Sequence, residues 1–211
     1  MTHDGVFVSH ACQSTSGYSL LSGTLLWQTW AVGCASGGGS WMPVASSGLV
    51  YARQSDTDDE YFTDMFDPYV LNASTGADAG TFETGPPPAI HAGHMFVVRR
   101  VILSSVSIGD QSVSWTFGDG TLTTPPIVVS GRVFIGSSTG TLYALDEATG
   151  SSTWSDLAGA GFSELQEGSG GIEPTALGAA DGLLVAPVGS SLVVYGAEAD
   201  GGVSDAGGDG E

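Results

Sequence analysis

A glycine that opens into a short apolar run recurs five times along this chain, and that recurrence limits the fold more tightly than any single residue. Gly5-Val6-Phe7-Val8, Gly48-Leu49-Val50-Tyr51, Gly93-His94-Met95-Phe96-Val97, Gly131-Arg132-Val133-Phe134-Ile135 and Gly182-Leu183-Leu184-Val185 fit one template, at successive spacings of 43, 45, 38 and 51 residues. The fourth copy is the fullest. Val133, Phe134 and Ile135 are β-branched or aromatic, residues 136–140 make a small polar turn, and Thr141-Leu142-Tyr143-Ala144-Leu145 alternates as a second strand should. Asp146 begins another turn, where its carboxylate can accept hydrogen bonds from the backbone N–H groups near Ala148 and Thr149. Gly150 supplies a backbone conformation closed to other residues, and the chain reverses to reach Trp154.

The turn unit is echoed in the other copies. Tyr18-Ser19-Leu20-Leu21 runs to Gly23 and Trp27, Tyr69-Val70-Leu71-Asn72 runs to Thr75-Gly76, and Trp115 closes the third copy. The first copy reads as about two residues short in the turn. The second has Gly80 where tryptophan is expected, and the third places Ser107, Asp110 and Gln111 where Asp, Thr and Gly belong. Units of roughly 40 to 45 residues suit a four-stranded antiparallel propeller blade, so the chain is expected to be all-β. The approximate units are 1–41, 42–87, 88–124, 125–173 and 174–196. The first begins at the second strand of its blade, near Val6, and the last stops inside a fifth blade, giving about four and a half.

Ala144, Asp146, Thr149, Gly150 and Trp154 match every position of the A-x-D-x-x-T-G-x-x-x-W signature of pyrroloquinoline-quinone-like (PQQ-like) β-propeller repeats. The chain resembles that family over residues 5–196. The resemblance implies that the signature tryptophan packs between neighbouring blades, a role that falls to Trp27, Trp115 and Trp154. It also implies rings of seven or eight blades, of which four and a half units make about half. An open stack exposes the apolar faces of its terminal units and unpaired strand edges. A fragmentary reading frame is therefore expected, with further blades from a missing segment; a small ring, or a dimer that completes the circle, is the runner-up.

Two functions follow from the resemblance. One is a non-catalytic scaffold, similar to the propellers of outer-membrane assembly lipoproteins, that presents loops and blade edges to protein or peptide partners and needs no cofactor. The alternative is part of a PQQ-dependent quinoprotein dehydrogenase, with the quinone and a calcium ion at the ring centre. Such enzymes carry adjacent paired cysteines, an aspartate base, and Glu and Asn metal ligands. This chain has no Cys-Cys pair, and the repeat motif stabilises blades rather than binding quinone, so the balance falls on the scaffold and away from an enzyme.

Charge narrows the partners. Twenty-three acidic residues face four arginines and no lysine, a formal net charge of −19 that repels nucleic acid and anionic membranes. Part of it lies in residues 197–211, whose Gly, Ala and Asp content cannot build a core and reads as a disordered acidic tail. No run approaches the roughly 20 apolar residues of a membrane span, and the N-terminus has no signal-peptide pattern, though one would be lost with missing upstream blades. Asp56, Asp58, Asp59, Glu60, Asp64 and Asp67 cluster in an insertion of the second blade. Their spacing lacks a glycine turn and fits no EF-hand loop, so they read as a solvated acidic loop rather than a calcium site.

Cys12 and Cys34 fall at the same end of the first blade, two strand spacings or roughly 10 Å apart, and the Gly-rich residues 35–39 can close the gap. A disulfide is favoured over two free buried thiols. It would add on the order of 3 kcal/mol in the chain-entropy model and favours a periplasmic or extracellular location. His10 beside the two cysteines matches no zinc framework. His91 and His94, three apart on a strand and its turn, are expected to point to opposite faces and share no ion. Trp30 and Trp41 read as packing between blades rather than as a sugar-binding surface. Neither a nucleophile elbow nor a phosphate-binding glycine loop is present.

Overall fold

Every template glycine is the second central residue of a two-residue hairpin, and the turn type explains its recurrence. Ser47 and Gly48 have φ of 51° and 78°, Ala92 and Gly93 47° and 80°, Ser130 and Gly131 50° and 73°, and Asp181 and Gly182 51° and 78°. Two consecutive left-handed residues make a type I′ turn, whose twist matches that of the strands it joins. The register is the same each time: Ser46 opposite Leu49, His91 opposite His94, Val129 opposite Arg132, Ala180 opposite Leu183.

The computed structural model describes residues 2–3, 5–11, 14–30, 43–55, 66–82, 86–118, 120–162 and 176–196, and these contain no helix. Five antiparallel meander sheets follow one another along the chain. The first holds β1 (Thr2–His3), β2 (Val6–Ala11), β3 (Ser14–Ser19) and β4 (Leu25–Trp30). The second holds β5 (Val44–Ser46), β6 (Leu49–Ser55), β7 (Phe66–Asn72) and β8 (Asp78–Gly80). The third holds β9 (Ala89–His91), β10 (His94–Arg99), β11 (Ile102–Ser107) and β12 (Val113–Phe117). The fourth holds β13 (Ile127–Val129), β14 (Arg132–Gly136), β15 (Thr141–Asp146) and β16 (Ser152–Leu157). The fifth holds β17 (Gly178–Ala180), β18 (Leu183–Val188) and β19 (Ser191–Gly196).

The chain therefore does not begin at a second strand. Thr2 and His3 pair with Phe7 and Val6, so the first sheet has its own short first strand. The short first strands line up side by side, β1 against β5, β5 against β9 and β9 against β13, which stacks the sheets as blades around a common edge.

The core lies between blades rather than inside any one of them. Period-2 alternation sends neighbouring residues of one strand to opposite seams. On β6, Val50 and Ala52 join Val6, Val8 and Trp27 of the first blade, while Tyr51 joins Met95 and Val97 of the third. On β10, Phe96 and Val98 turn the other way, to Val133, Ile135 and Leu145 of the fourth blade. Leu142 and Phe162 meet Leu184, Ala186 and Val188 of the fifth. The outermost faces have no such cover among the described residues: Phe7 and Leu25 are exposed on the first blade, and Leu183, Leu192 and Val194 on the fifth.

Direct opposition across a hairpin places two side chains on the same face of the sheet, so the expectation for His91 and His94 is corrected. The histidines diverge in bonding instead. His91 Nδ1 lies 2.6 Å from Glu147 Oε1 of the fourth blade, and His94 Nδ1 lies 3.2 Å from Ser105 Oγ.

Ala92 carries a Cβ in a left-handed position that costs an ordinary residue roughly 1 to 2 kcal/mol. Ala92→Asn, which makes the favoured Asn-Gly turn, is expected to stabilise the chain by about 0.5 to 1 kcal/mol. A rise in the urea midpoint with unchanged m-value is the measurement that checks it.

Candidate functional site

The residues singled out by the repeat signature come together at the seams between blades. A five-residue turn links the third and fourth strands of each of the first four blades, and its backbone bonds repeat. The fifth residue donates its N–H to the carbonyl of the first: Gly23 to Ser19, Gly76 to Asn72, Gln111 to Ser107 and Gly150 to Asp146. The second donates to the glycine that opens the blade: Leu20 to Gly5, Ala73 to Gly48, Ile108 to Gly93 and Glu147 to Gly131. The first blade's turn thus has full length, not the two-residue shortening its sequence suggested.

Side chains brace the turn from within. Asp146 Oδ1 accepts from Ala148 N–H (3.1 Å), Thr149 N–H (2.9 Å) and Thr149 hydroxyl (2.8 Å). Thr149, through its hydroxyl and then its N–H, holds the Asp146 carboxyl below the usual range. Asn72 Oδ1 plays the same part in the second blade, accepting from the N–H groups of Ser74 and Thr75, each at 3.0 Å. Ser19 Oγ accepts from Ser22 N–H in the first blade. In the third, the carboxylate comes from the other end of the turn: Asp110 accepts from Ser112 N–H and hydroxyl. Hydrogen bonds from the Ser107 and Ser112 hydroxyls push the Asp110 carboxyl down to about 2.

The turn's backbone receives the tryptophan of the preceding blade. Trp27 Nε1 donates to the Ala73 carbonyl, and Trp115 Nε1 to the Glu147 carbonyl, both at 2.9 Å. Each indole lies flat on the fifth residue of the turn it meets. A Cβ on Gly76 would stand 2.6 Å from Trp27 Cδ2 and Cε3, and one on Gly150 would stand 2.6 Å from the same atoms of Trp115. Both glycines are left-handed, with φ of 69° and 70°, so shape and backbone demand the same residue. Under Trp27, its cross-strand partner Gly17 leaves no room for a side chain either.

A shift of register beside the turn recurs in all four blades and fixes which residue faces the seam. Trp27 lies opposite Gly17, Trp115 opposite Ser105, Trp154 opposite Ala144, and Gly80 opposite Val70. Gly80 therefore occupies the tryptophan position of the second blade. The turn it faces has Gln111, with φ of 58°, in place of the glycine.

Trp154 stands differently from Trp27. It is 38% exposed against 9%, and its ring meets Tyr195 of β19 edge-on at 5.2 Å. Tyr195 hydroxyl donates to Asp156 Oδ2, and burial, with that bond and charge, pushes its pKa up to about 12. Trp30 is 73% exposed; paired with Ser14 and next to seam-facing Thr29, it lies on the outer face of the first blade, opposite to the face that carries Trp27. A cross-seam polar group escaped the sequence reading: fully buried Thr15 has its hydroxyl 2.7 Å from both His10 Nδ1 and Tyr69 hydroxyl. Its parts lie on three strands, and no spacing signals it. Cys12, Cys34, Trp41, and the cluster Asp56, Asp58, Asp59, Glu60 and Asp64 lie outside the described residues, as do residues 197–211; of Asp67 only the backbone is described.

The sequence lacks adjacent cysteines, and among the described residues no three His, Cys, Asp or Glu side chains stand together.

Five sequential meander blades, with an indole laid on a turn between the first and second and again between the third and fourth, define a PQQ-like β-propeller. The family model described as outer membrane protein assembly factor BamB matches residues 13–203, and the chain belongs to that family. Among solved structures it is similar to BamB from Moraxella catarrhalis, at 19% identity and a TM-score of 0.63, covering 92% of this chain and 56% of that one. It is similar to the computationally designed Ika8 protein at 14% identity and a TM-score of 0.64, covering 93% and 57%. A europium-containing methanol dehydrogenase aligns at 11% identity and a TM-score of 0.53, covering 73% and 40%. The chain thus spans a little over half the length of the first two. No curated protein matches it.

Two predictions isolate the parts of the lock. Gly23 and Gly150 share φ of 70°, but only Gly150 lies under an indole. Gly23→Ala is expected to cost about 1 kcal/mol for the backbone alone, and Gly150→Ala about 3 kcal/mol once overpacking is added; urea unfolding of the two variants checks the difference. The carboxyls of Asp110 and Asp146 sit below their unfolded value of 3.8, so their stabilisation is complete above that value and is lost as pH falls through the folded one. The double variant Asp110→Asn and Asp146→Asn keeps an acceptor oxygen, as Asn72 does, and is expected to flatten the loss of thermal stability between about pH 4 and pH 2.

Proposed function

We propose that this chain is a non-catalytic propeller scaffold that holds a protein partner in the periplasm or extracellular space and uses neither quinone nor calcium. One observation carries the reading: the signature residues shared with quinone-binding propellers are engaged in joining blades. Asp146 Oδ1 takes three hydrogen bonds from its own turn, and that turn receives the Trp115 indole. Membership in a family described as an assembly factor supports a protein partner. Exposed Trp30, Leu157 and Leu21 give the blade edges apolar and aromatic anchors of the kind that dominate protein interfaces.

Further blades, from another segment or a second copy, would cover the outer faces that carry Phe7 and Leu25 at one end and Leu192 and Val194 at the other. The competing reading, a fragment of a quinoprotein dehydrogenase, draws on the repeat signature and on fold similarity to methanol dehydrogenase, and a shared fold does not by itself carry a function.

Incubation of the chain with pyrroloquinoline quinone and calcium, followed by absorbance and dye-reduction assays, separates the two. No stoichiometric uptake and no turnover are expected. Stoichiometric binding with dye reduction would overturn the scaffold reading.

A further inference from the structure

The seam between the second and third blades lacks both halves of the lock. Gly80 replaces the tryptophan and Gln111 replaces the glycine that would lie beneath it, so the two changes are matched across the interface. Val70, opposite Gly80, is larger than the Gly17, Ser105 and Ala144 found opposite the tryptophans, yet it does not close the space. Nor does Phe82, two residues on from Gly80: it occupies the position of Phe117 and turns to Tyr51, whose ring it meets edge-on at 5.5 Å. A cavity of about 330 Å³ remains between the blades.

Its walls are built. Tyr51, Val70 and Phe82 on one side and Met95 and Val97 on the other are each at least nine-tenths buried. Ala79 and Thr81, both exposed, stand at its rim, where β8 has three residues against six in β4 and β16. The volume lies within the range of sites that bind small ligands, and more than twice that of an apolar cavity able to hold benzene. Polar atoms enter from the side that receives indole N–H groups in the other seams: Ser107, Ile108 and Gln111 of the third blade's turn.

We propose that this cavity is a binding site for a small uncharged aromatic molecule of one or two fused rings. The other seams of the same molecule point to the occupant. Between the first and second blades, and between the third and fourth, the matching space is filled by a flat indole whose N–H meets the carbonyl of the turn's second residue. Ile108 holds that position here. Gln111 has a Cβ where Gly76 and Gly150 have none, so a ring enters displaced toward Met95 and Phe82, where thioether and ring-edge contacts favour an aromatic guest. A puckered saturated ring of similar carbon count is thicker than the gap that one ring plane fills. A chain of net charge −19 disfavours an anionic guest, and Arg99, which also lines the cavity, disfavours a cationic one.

The test uses the full chain with 13C-methyl-methionine labelling. Met95 is assigned through Met95→Leu, and Met1, Met42 and Met65 serve as references. Titration with indole and with 2-naphthol is expected to give a saturable shift of the Met95 methyl resonance. Both should bind about tenfold or more tighter than decahydro-2-naphthol. Ala79→Trp and, independently, Val113→Trp, the latter from a 57% exposed position that lines the cavity opposite Val106, place an indole at the mouth and are expected to abolish the shift while leaving the methionine spectrum folded. No Met95 shift up to the solubility limit, an equal response to the saturated ring, or a shift that survives in both variants would overturn the site. The quinone assay is untouched by any of these outcomes, so the scaffold reading stands or falls separately.

Discussion

An indole laid on a left-handed glycine is the contact on which this architecture rests. A propeller blade has little core of its own; its apolar residues alternate between two faces and are buried only when another blade covers each. The tryptophan settles how the cover is placed. Its N–H to carbonyl bond fixes position along the seam, and its flat face against Gly76 or Gly150 fixes the separation. The buried side chains on either side, Val8 and Val50 at one seam, Phe96 and Ile135 at another, then pack into one cluster. An unpaired indole N–H in such a place would cost roughly 1 to 3 kcal/mol, so the bond gives direction to an interface that apolar packing alone would leave free to slide.

The turn that accepts the indole has several chemical solutions and one backbone. Aspartate, asparagine and serine each supply an oxygen at its first position, and the third blade moves the carboxylate to the fourth. The N–H to carbonyl bond across five residues is the same in all of them. Backbone geometry is held more strictly than side-chain identity because the neighbouring blade contacts the backbone: a carbonyl and a bare Cα.

That division explains what the sequence revealed. The glycine before each second strand was legible because a type I′ turn needs two left-handed residues and glycine fills the second without strain. The fourth blade's turn was legible because every signature residue survives there. The first blade's turn is hidden in the sequence because Ser19 and Ser22 do the work of Asp and Thr without resembling them; only the spacing from Gly23 to Trp27, equal to that from Gly150 to Trp154, carries its register. The short strand Thr2–His3 carries no apolar pattern and exists because Val6 and Phe7 offer it an edge. The opposition of His91 and His94 was hidden for another reason: residues three apart lie on opposite faces of one strand, but on the same face once a two-residue turn stands between them. The Thr15, His10 and Tyr69 group joins residues 54 and 59 positions apart, a juxtaposition that only folding creates.

The seams of this molecule are not equal. One indole locks the first blade to the second and another the third to the fourth, while the join between them has a cavity in place of a ring. In a linear array whose stability is a sum of unit and nearest-neighbour terms, alternating couplings change the cooperative unit. Genetically the repeat is one blade of some forty residues. The lock repeats on a longer period, since an indole couples the first blade to the second and the third to the fourth but not the second to the third.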